Sequence, residues 1–302
     1  MNQQFLEKLK TIVGEEHFSL EEPLKKHTTF RIGGPAEVFV SPDLVQLPLI
    51  VRLCKEYDIS YTVIGNGSNL LVGDKGVRGL VIELGKPAEE IAVIGNKMIV
   101  GAGTMLGKAA SAAAARGLTG MEFAAGIPGS IGGAVVMNAG AYGGEMKDII
   151  ESVTVIDEEG QELELSLEEL ELSYRHSCII EKHYLVTEVT LQLQRGEEEA
   201  IRARMAELRE QRMAKQPLEY PSAGSTFKRP EGYFAGKLIM DAGLKGYRVG
   251  GAQVSEKHAG FVINTGDATA ADVRGLITDV AAQVKEKFGV TLEPEVKMIG
   301  EF

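Results

Sequence analysis

Residues 126–144 read GIPGSIGGAVVMNAGAYGG. Glycines at 126, 129, 132, 133, 140, 143 and 144 surround the apolar run Ala134-Val135-Val136-Met137. Glycine at this density costs backbone entropy and leaves no side chain to pack. A fold keeps it where backbone must approach a neighbour closely or take positive φ. The stretch is nearly free of charge, so it reads as a buried segment and not as a solvated linker. That pattern predicts backbone N–H groups lying against a large ligand, and an anion suits such donors.

Upstream, Phe5, Leu6, Leu9, Ile12 and Val13 recur at helical spacing, and a charged connector follows to residue 26. A strand is expected at 36–40 and a helix at 42–57. A short strand at 61–64 runs into Gly65-Asn66-Gly67-Ser68-Asn69, and strands follow at 70–72 and 80–84. Residues 91–94 and 98–100 flank Gly95-Asn96, a tight hairpin turn. An alanine-rich helix over 105–116 is closed by Gly117. Downstream, 152–156 and 162–165 form a second hairpin around 157–160, and Leu185 to Leu193 a strand. A charged helix at 197–215 ends before Pro217. A short helix is expected at 234–242 and strands near 252–254 and 260–264. Thr269 and Asp272 open a capping box for a long helix that Gly289 stops, and the 290–300 segment is strand-like. Hairpins and helices mix without regular β-α alternation, which points to α+β or mixed sheets and away from a doubly wound sheet.

The chain has 302 residues, 44% hydrophobic and 25% charged, enough for two or three domains. Its net charge of −11 argues against a nucleic-acid partner. An acidic chain that binds an anion must use local donors. Cys54 and Cys178 are the only cysteines, which gives neither a disulfide framework nor metal spacing. The N-terminal run is broken by Glu7, Lys8 and Lys10, and no segment has the length of a membrane span. The expected location is cytoplasmic, with no membrane insertion and no protein partner evident.

Several nucleotide and catalytic signatures fail. Gly101-Ala102-Gly103-Thr104-Met105-Leu106-Gly107 places its third glycine one position late for a dinucleotide fingerprint. Walker A spacing, HExxH, paired CxxC and GxSxG are absent, so no metal is expected. Four other segments each admit two readings. Gly65–Asn69 is an anion nest or a plain β-turn. Tyr174-Arg175 is a bidentate clamp for carboxylate or phosphate, or a surface pair. The 222–230 loop packs hydroxyls and two cations together, with Ser225 and Lys228 as candidates for acid chemistry and anion binding, or is a hydroxyl-capped turn. Glu293 and Glu295 flank Pro294, and either is a general acid or hydrogen-bonding partner if buried, or both are surface charges.

Together and in this order, these segments are specific. The chain resembles the UDP-N-acetylenolpyruvoylglucosamine reductase family of flavoproteins. The resemblance runs through TFRIGGPA at 29–36, IGNGSNLL at 64–71, GIPGSIGG at 126–133 and NAGAYG at 138–143. It continues through Tyr174-Arg175, AGSTFK at 223–228 and LEPEV at 292–296. It implies an α+β fold of the vanillyl-alcohol-oxidase type, with FAD bound non-covalently between two subdomains and a C-terminal substrate-binding domain. The corresponding boundaries are 1–26 for the helix and connector, 27–195 for the FAD-binding region (about 27–90 and 91–195), and 196–302 for the substrate domain, whose last strand returns to the active site.

The resemblance implies NADPH as reductant and a UDP-sugar enolpyruvyl ether as substrate, in peptidoglycan precursor synthesis. It assigns catalysis to Arg175, Ser225 and Glu295. Arg175 would hold the carboxylate whose charge grows in the transition state. Ser225 would donate the proton to C2, with cationic help from Lys228. Glu295, carrying or sharing a proton, would hydrogen-bond the developing enolate. Cofactor contacts fall on Arg31, Gly65, Asn66, Gly67, Ser68, Asn69, Gly126, Ile127, Pro128, Gly129, Ser130, Gly132 and Gly133. Substrate contacts fall on Tyr174, Lys228, Arg229 and Asn138. The chain is short for the family and lacks the extra tyrosine-bearing segment of the longer subclass. It also carries Arg229 where many members have Asn. The rival readings are another oxidase or dehydrogenase of the same flavin fold, and a flavin-binding module without catalysis. Ser225 and Glu295 weigh against both.

Overall fold

A computed structural model describes residues 2–302. The described residues form two compact units: 2–20, 38–66 and 79–211 in the first, and 21–37, 67–78 and 212–302 in the second. This differs from continuous domains split near 196. The division falls inside the charged helix Glu198–Lys215, and two short early segments join the C-terminal unit. Local composition marks the start of that helix but carries no record of which early segments pack with the chain's end.

The first unit is built on a five-stranded antiparallel sheet, in the order Glu162–Ser166, Ile150–Ile156, Leu185–Gln192, Lys97–Gly101 and Ile91–Ile94. Its two hairpins are those expected from Gly95-Asn96 and the 157–160 turn. Gly95 takes φ 65° and Gly160 φ 70°, conformations that glycine adopts without a Cβ penalty. Helices Leu106–Ala114 and Ile131–Val136 contribute buried Leu106, Ala109, Ala110, Ile131, Ala134 and Val135 to the same core. The helix Gln3–Val13 buries Phe5, Leu9 and Val13, one face at helical spacing, in the core that Leu47–Glu56 also enters. Strand Tyr61–Ile64 pairs in parallel with residues 80–83 and ends at Gly65.

The second unit carries an antiparallel sheet in the order Ser222–Ser225, Phe261–Asn264, Ala252–Val254 and Arg248–Val249. The helix Ala270–Phe288 covers it with buried Ala270, Val273, Leu276, Ile277, Val280 and Val284. It starts at the Thr269/Asp272 capping box and stops at Gly289, φ 72°, as the sequence indicates. The early segments are bonded into this unit. Asn264 Nδ2 donates to Phe30 O at 3.0 Å. Asp74 accepts from the N–H groups of Ala270 and Ala271 at 2.8 and 3.0 Å. Leu70–Val72 pairs in parallel with Lys297–Ile299, the only strand formed in the 290–300 segment.

Candidate functional site

In the first unit the two glycine-rich segments meet. Asn66 Nδ2 donates to Pro128 O at 2.6 Å. A Cβ on Gly65 would meet Ser130 Oγ, so the missing side chain lets that hydroxyl lie directly against the Gly65 backbone. Ser130 is 2% exposed, and its hydroxyl is buried without a hydrogen-bond partner. A buried hydroxyl left unpaired is costly, and in a protein that binds a polar group it marks where that group supplies the bond. Gly126, Pro128 and Gly133 face outward beside it, while Gly132 and Ser130 are buried. The segment is therefore not uniformly buried, as its composition suggested. Ile127 and Gly129 are half-buried. These residues fit FAD, whose phosphates and ring polar atoms need donors on a surface with few side chains.

Some of the glycines serve internal packing instead. A Cβ on Gly132 would lie 2.9 Å from Ala102 Cβ, and one on Gly144 2.7 Å from the Phe123 ring. The imperfect fingerprint at 101–107 does form strand, turn and helix, but its backbone is already paired. Gly101 N–H donates to Glu90 O at 2.9 Å, Ala102 N–H to Thr187 O at 2.8 Å, Gly103 N–H to Ala88 O at 3.1 Å and Leu106 N–H to Gly129 O at 2.9 Å. The donors a phosphate would need there are consumed by the protein, which agrees with the failed spacing.

Arg175 also belongs to the first unit. Ser173 and His176 exchange two backbone hydrogen bonds of 3.2 Å and close a two-residue turn around Tyr174 and Arg175. Arg175 takes φ 57°, a conformation that favours glycine or asparagine. Strain of this kind gathers at sites that use it. The guanidinium lies 5.1 Å over the Tyr174 ring, and Tyr174 is 52% exposed. Asn138, expected as a substrate contact, is 0% exposed, with both ends of its amide bonded to protein groups.

In the second unit the Ser225 loop pairs with the 292–296 segment. Phe227 and Pro294 form an antiparallel bridge. Lys228 N–H donates to Glu293 O and Glu295 N–H to Thr226 O, both at 2.8 Å. Ser225 is exposed, Thr226 is 1% exposed and Glu295 9%. Thr226 Oγ1 anchors the loop by accepting from Val262 N–H at 2.9 Å. Lys228 Nζ reaches Glu293 at 3.4 Å. Arg229 stacks on the exposed Phe234 ring at 4.6 Å.

The remaining cofactor candidates, Arg31, Gly67, Ser68 and Asn69, lie in this same unit. Thr29 N–H donates to Gly67 O at 3.3 Å, and Thr29 Oγ1 to Ser222 O at 2.6 Å. Arg31 is exposed at φ 55°. Asn69 Nδ2 donates to Glu295 O at 3.2 Å and Asn69 O accepts from Lys297 N–H at 2.9 Å, which ties the Gly67–Asn69 segment to the glutamate. The hydrogen-bonding roles of Thr29, Thr226, Glu145 and Ser177 are not legible in the sequence, because their partners are set by the folded chain. Among the described residues no cluster of His, Cys, Asp or Glu could hold a metal, and no helix is long and apolar enough to cross a membrane.

Comparison with known proteins defines the class first. Residues 36–166 match the FAD binding domain family. A 4-ethylphenol oxidase from Gulosibacter chungangensis shares the fold, with a TM-score of 0.50 at 17% identity over 64% of this chain and 42% of its own. The chain is an α+β flavoprotein with the vanillyl-alcohol-oxidase type of FAD-binding fold. Residues 216–299 match the C-terminal domain of UDP-N-acetylenolpyruvoylglucosamine reductase. The reductase of Lachnoclostridium phytofermentans is 58% identical over 306 residues, covering 100% of this chain and 99% of its own. The crystal structure of the Thermus caldophilus enzyme superposes with a TM-score of 0.79 at 39% identity, covering 93% of this chain and 97% of its own. The chain belongs to the UDP-N-acetylenolpyruvoylglucosamine reductase family.

Proposed function

We propose that this chain reduces the enolpyruvyl ether of UDP-N-acetylglucosamine to UDP-N-acetylmuramate, with FAD as cofactor and NADPH as reductant, in the cytoplasmic stage of peptidoglycan synthesis. The observation that carries the reading is the pairing of the Ser225 loop with the Glu295 segment inside the stretch that matches the family's C-terminal domain. FAD held by these residues would supply hydride-transfer chemistry between NADPH and C3 of the enol ether. The chain's own residues do the rest. Asn66, Ser130 and the glycines around them line the cofactor, and Ser130 Oγ gains the partner it lacks. Arg175 holds the substrate carboxylate, where its rigid guanidinium meets charge spreading from C2. Ser225 Oγ gives its proton to C2. Glu295 hydrogen-bonds the same developing enolate, and Lys228 and Arg229 serve the diphosphate.

The test is spectroscopic. Purified protein is expected to show flavin absorbance, to bleach with NADPH, and to recover when the enolpyruvyl nucleotide is added without oxygen. Bleaching without recovery would reject this substrate and keep the flavoprotein.

A further inference from the structure

We propose that Asn138 is a positioning residue for Arg175, which deepens the reading above and rests on the role given there to Arg175. Asn138 follows the helix Ile131–Val136 and takes φ 39°. Its Nδ2 donates to Glu145 Oε2 at 2.8 Å and to Ser173 O at 3.1 Å, and its Oδ1 accepts from Lys147 N–H at 3.0 Å. Glu145 is in turn held by Lys147 Nζ at 2.7 Å. One buried amide thus bolts the Ser173–His176 turn to the 138–148 segment. A second bolt sits on the other flank, where Ser177 Oγ donates to Val136 O at 2.8 Å. Both bonds attach the turn to the end of the helix that starts at Ser130, in the flavin-lining segment.

The physical need for the bolts is the strain at Arg175. An arginine at positive φ persists only when its surroundings leave the turn no alternative. A satisfied buried amide network provides that rigidity. Orientation matters because a displacement of about 1 Å in a group that grips the reacting carboxylate costs on the order of a hundredfold in rate.

The experiment uses the FAD-bound enzyme and follows the two half-reactions separately. Asn138→Asp keeps the Oδ1 acceptor and tolerates the left-handed backbone, but sets a carboxylate against Glu145 and Ser173 O. Reduction by NADPH is expected to stay within about twofold, and reoxidation by the enolpyruvyl nucleotide to slow about tenfold or more. Combined with Arg175→Lys, the two effects are expected to be non-additive, because one residue acts through the other. Ser177→Ala repeats the cycle through the second bolt and carries the test should Asn138→Asp fail to fold. Equal slowing of both half-reactions, or additive effects, would overturn positioning. A slow Arg175→Lys beside a normal Asn138→Asp overturns positioning alone. A normal Arg175→Lys overturns the role of Arg175 and the positioning with it.

Discussion

Glu295 donates its backbone N–H to Thr226 O at 2.8 Å, which sets a carboxyl side chain only 9% exposed on a segment paired with the one that carries Ser225. The two residues lie far apart in the chain, yet a backbone bridge fixes their spacing.

From that pairing, Ser225→Ala should leave flavin reduction by NADPH nearly intact and slow reoxidation by the substrate by about a hundredfold to ten-thousandfold. Glu295→Gln keeps shape and hydrogen bonding but cannot share a proton, and should slow the same step by about a hundredfold. Stopped-flow absorbance of the flavin separates the steps. Equal losses in both would remove Ser225 as proton donor.

Ser130→Ala should separate cofactor binding from folding. Its hydroxyl is an unpaired buried group in the protein alone. Deleting it relieves a penalty of about 1–3 kcal/mol, so the apoprotein should melt no lower than wild type. Flavin affinity should nonetheless fall by about tenfold, the loss of one hydrogen bond. Equilibrium dialysis and thermal melts of the apoprotein check both halves. A clear drop in apoprotein stability would make Ser130 a structural residue.

His258 predicts a pH dependence of stability. Burial pushes its imidazole below the ordinary 6.5, and Lys245 adds to the shift. Gly260 N–H donates to Nδ1 at 3.1 Å and Phe261 packs edge-on at 4.8 Å, both of which suit the neutral ring. The unfolded chain therefore takes up the proton first as pH falls. The contribution is fully present above about pH 6.5 and is lost as pH falls through the lower folded value. In His258→Gln the drop in urea midpoint from about pH 7.5 to about pH 5.5 should shrink. An unchanged drop would place the dependence on other groups.

Thr269→Ala should destabilise the second unit by about 1 kcal/mol. Thr269 Oγ1 accepts from Asp272 N–H and Asp272 Oδ2 from Thr269 N–H, each at 3.0 Å. Hydrogen exchange along residues 270–288 is the direct readout, with faster exchange expected in the first turn.

Much of the fold was legible because its signals are local. Gly95-Asn96 marks a hairpin, since only residues that accept positive φ close so tight a turn. Thr269, Asp272 and Gly289 mark a helix, since its ends need partners for their own free backbone groups. The order of short segments from residue 29 to 296 identified the family. The glycine-rich stretch is less legible. Its composition suggested one buried wall. The structure forms a short helix inside it, uses Gly132 and Gly144 for internal contacts, and leaves Gly126, Pro128 and Gly133 outward.

The sequence by itself determined the periodic elements, the turn and cap residues, the acidic charge and the family. Each of these depends on neighbours within a few positions or on the order of short segments along the chain. Tertiary structure alone decided that 21–37 and 67–78 pack with the C-terminal unit, that Ser130 has a buried hydroxyl without a partner, and that Asn138 is a buried bolt. Such facts depend on hydrogen bonds and burial across long separations, as between Asn69 and Glu295 or Asp74 and Ala270, and local sequence holds no term for them.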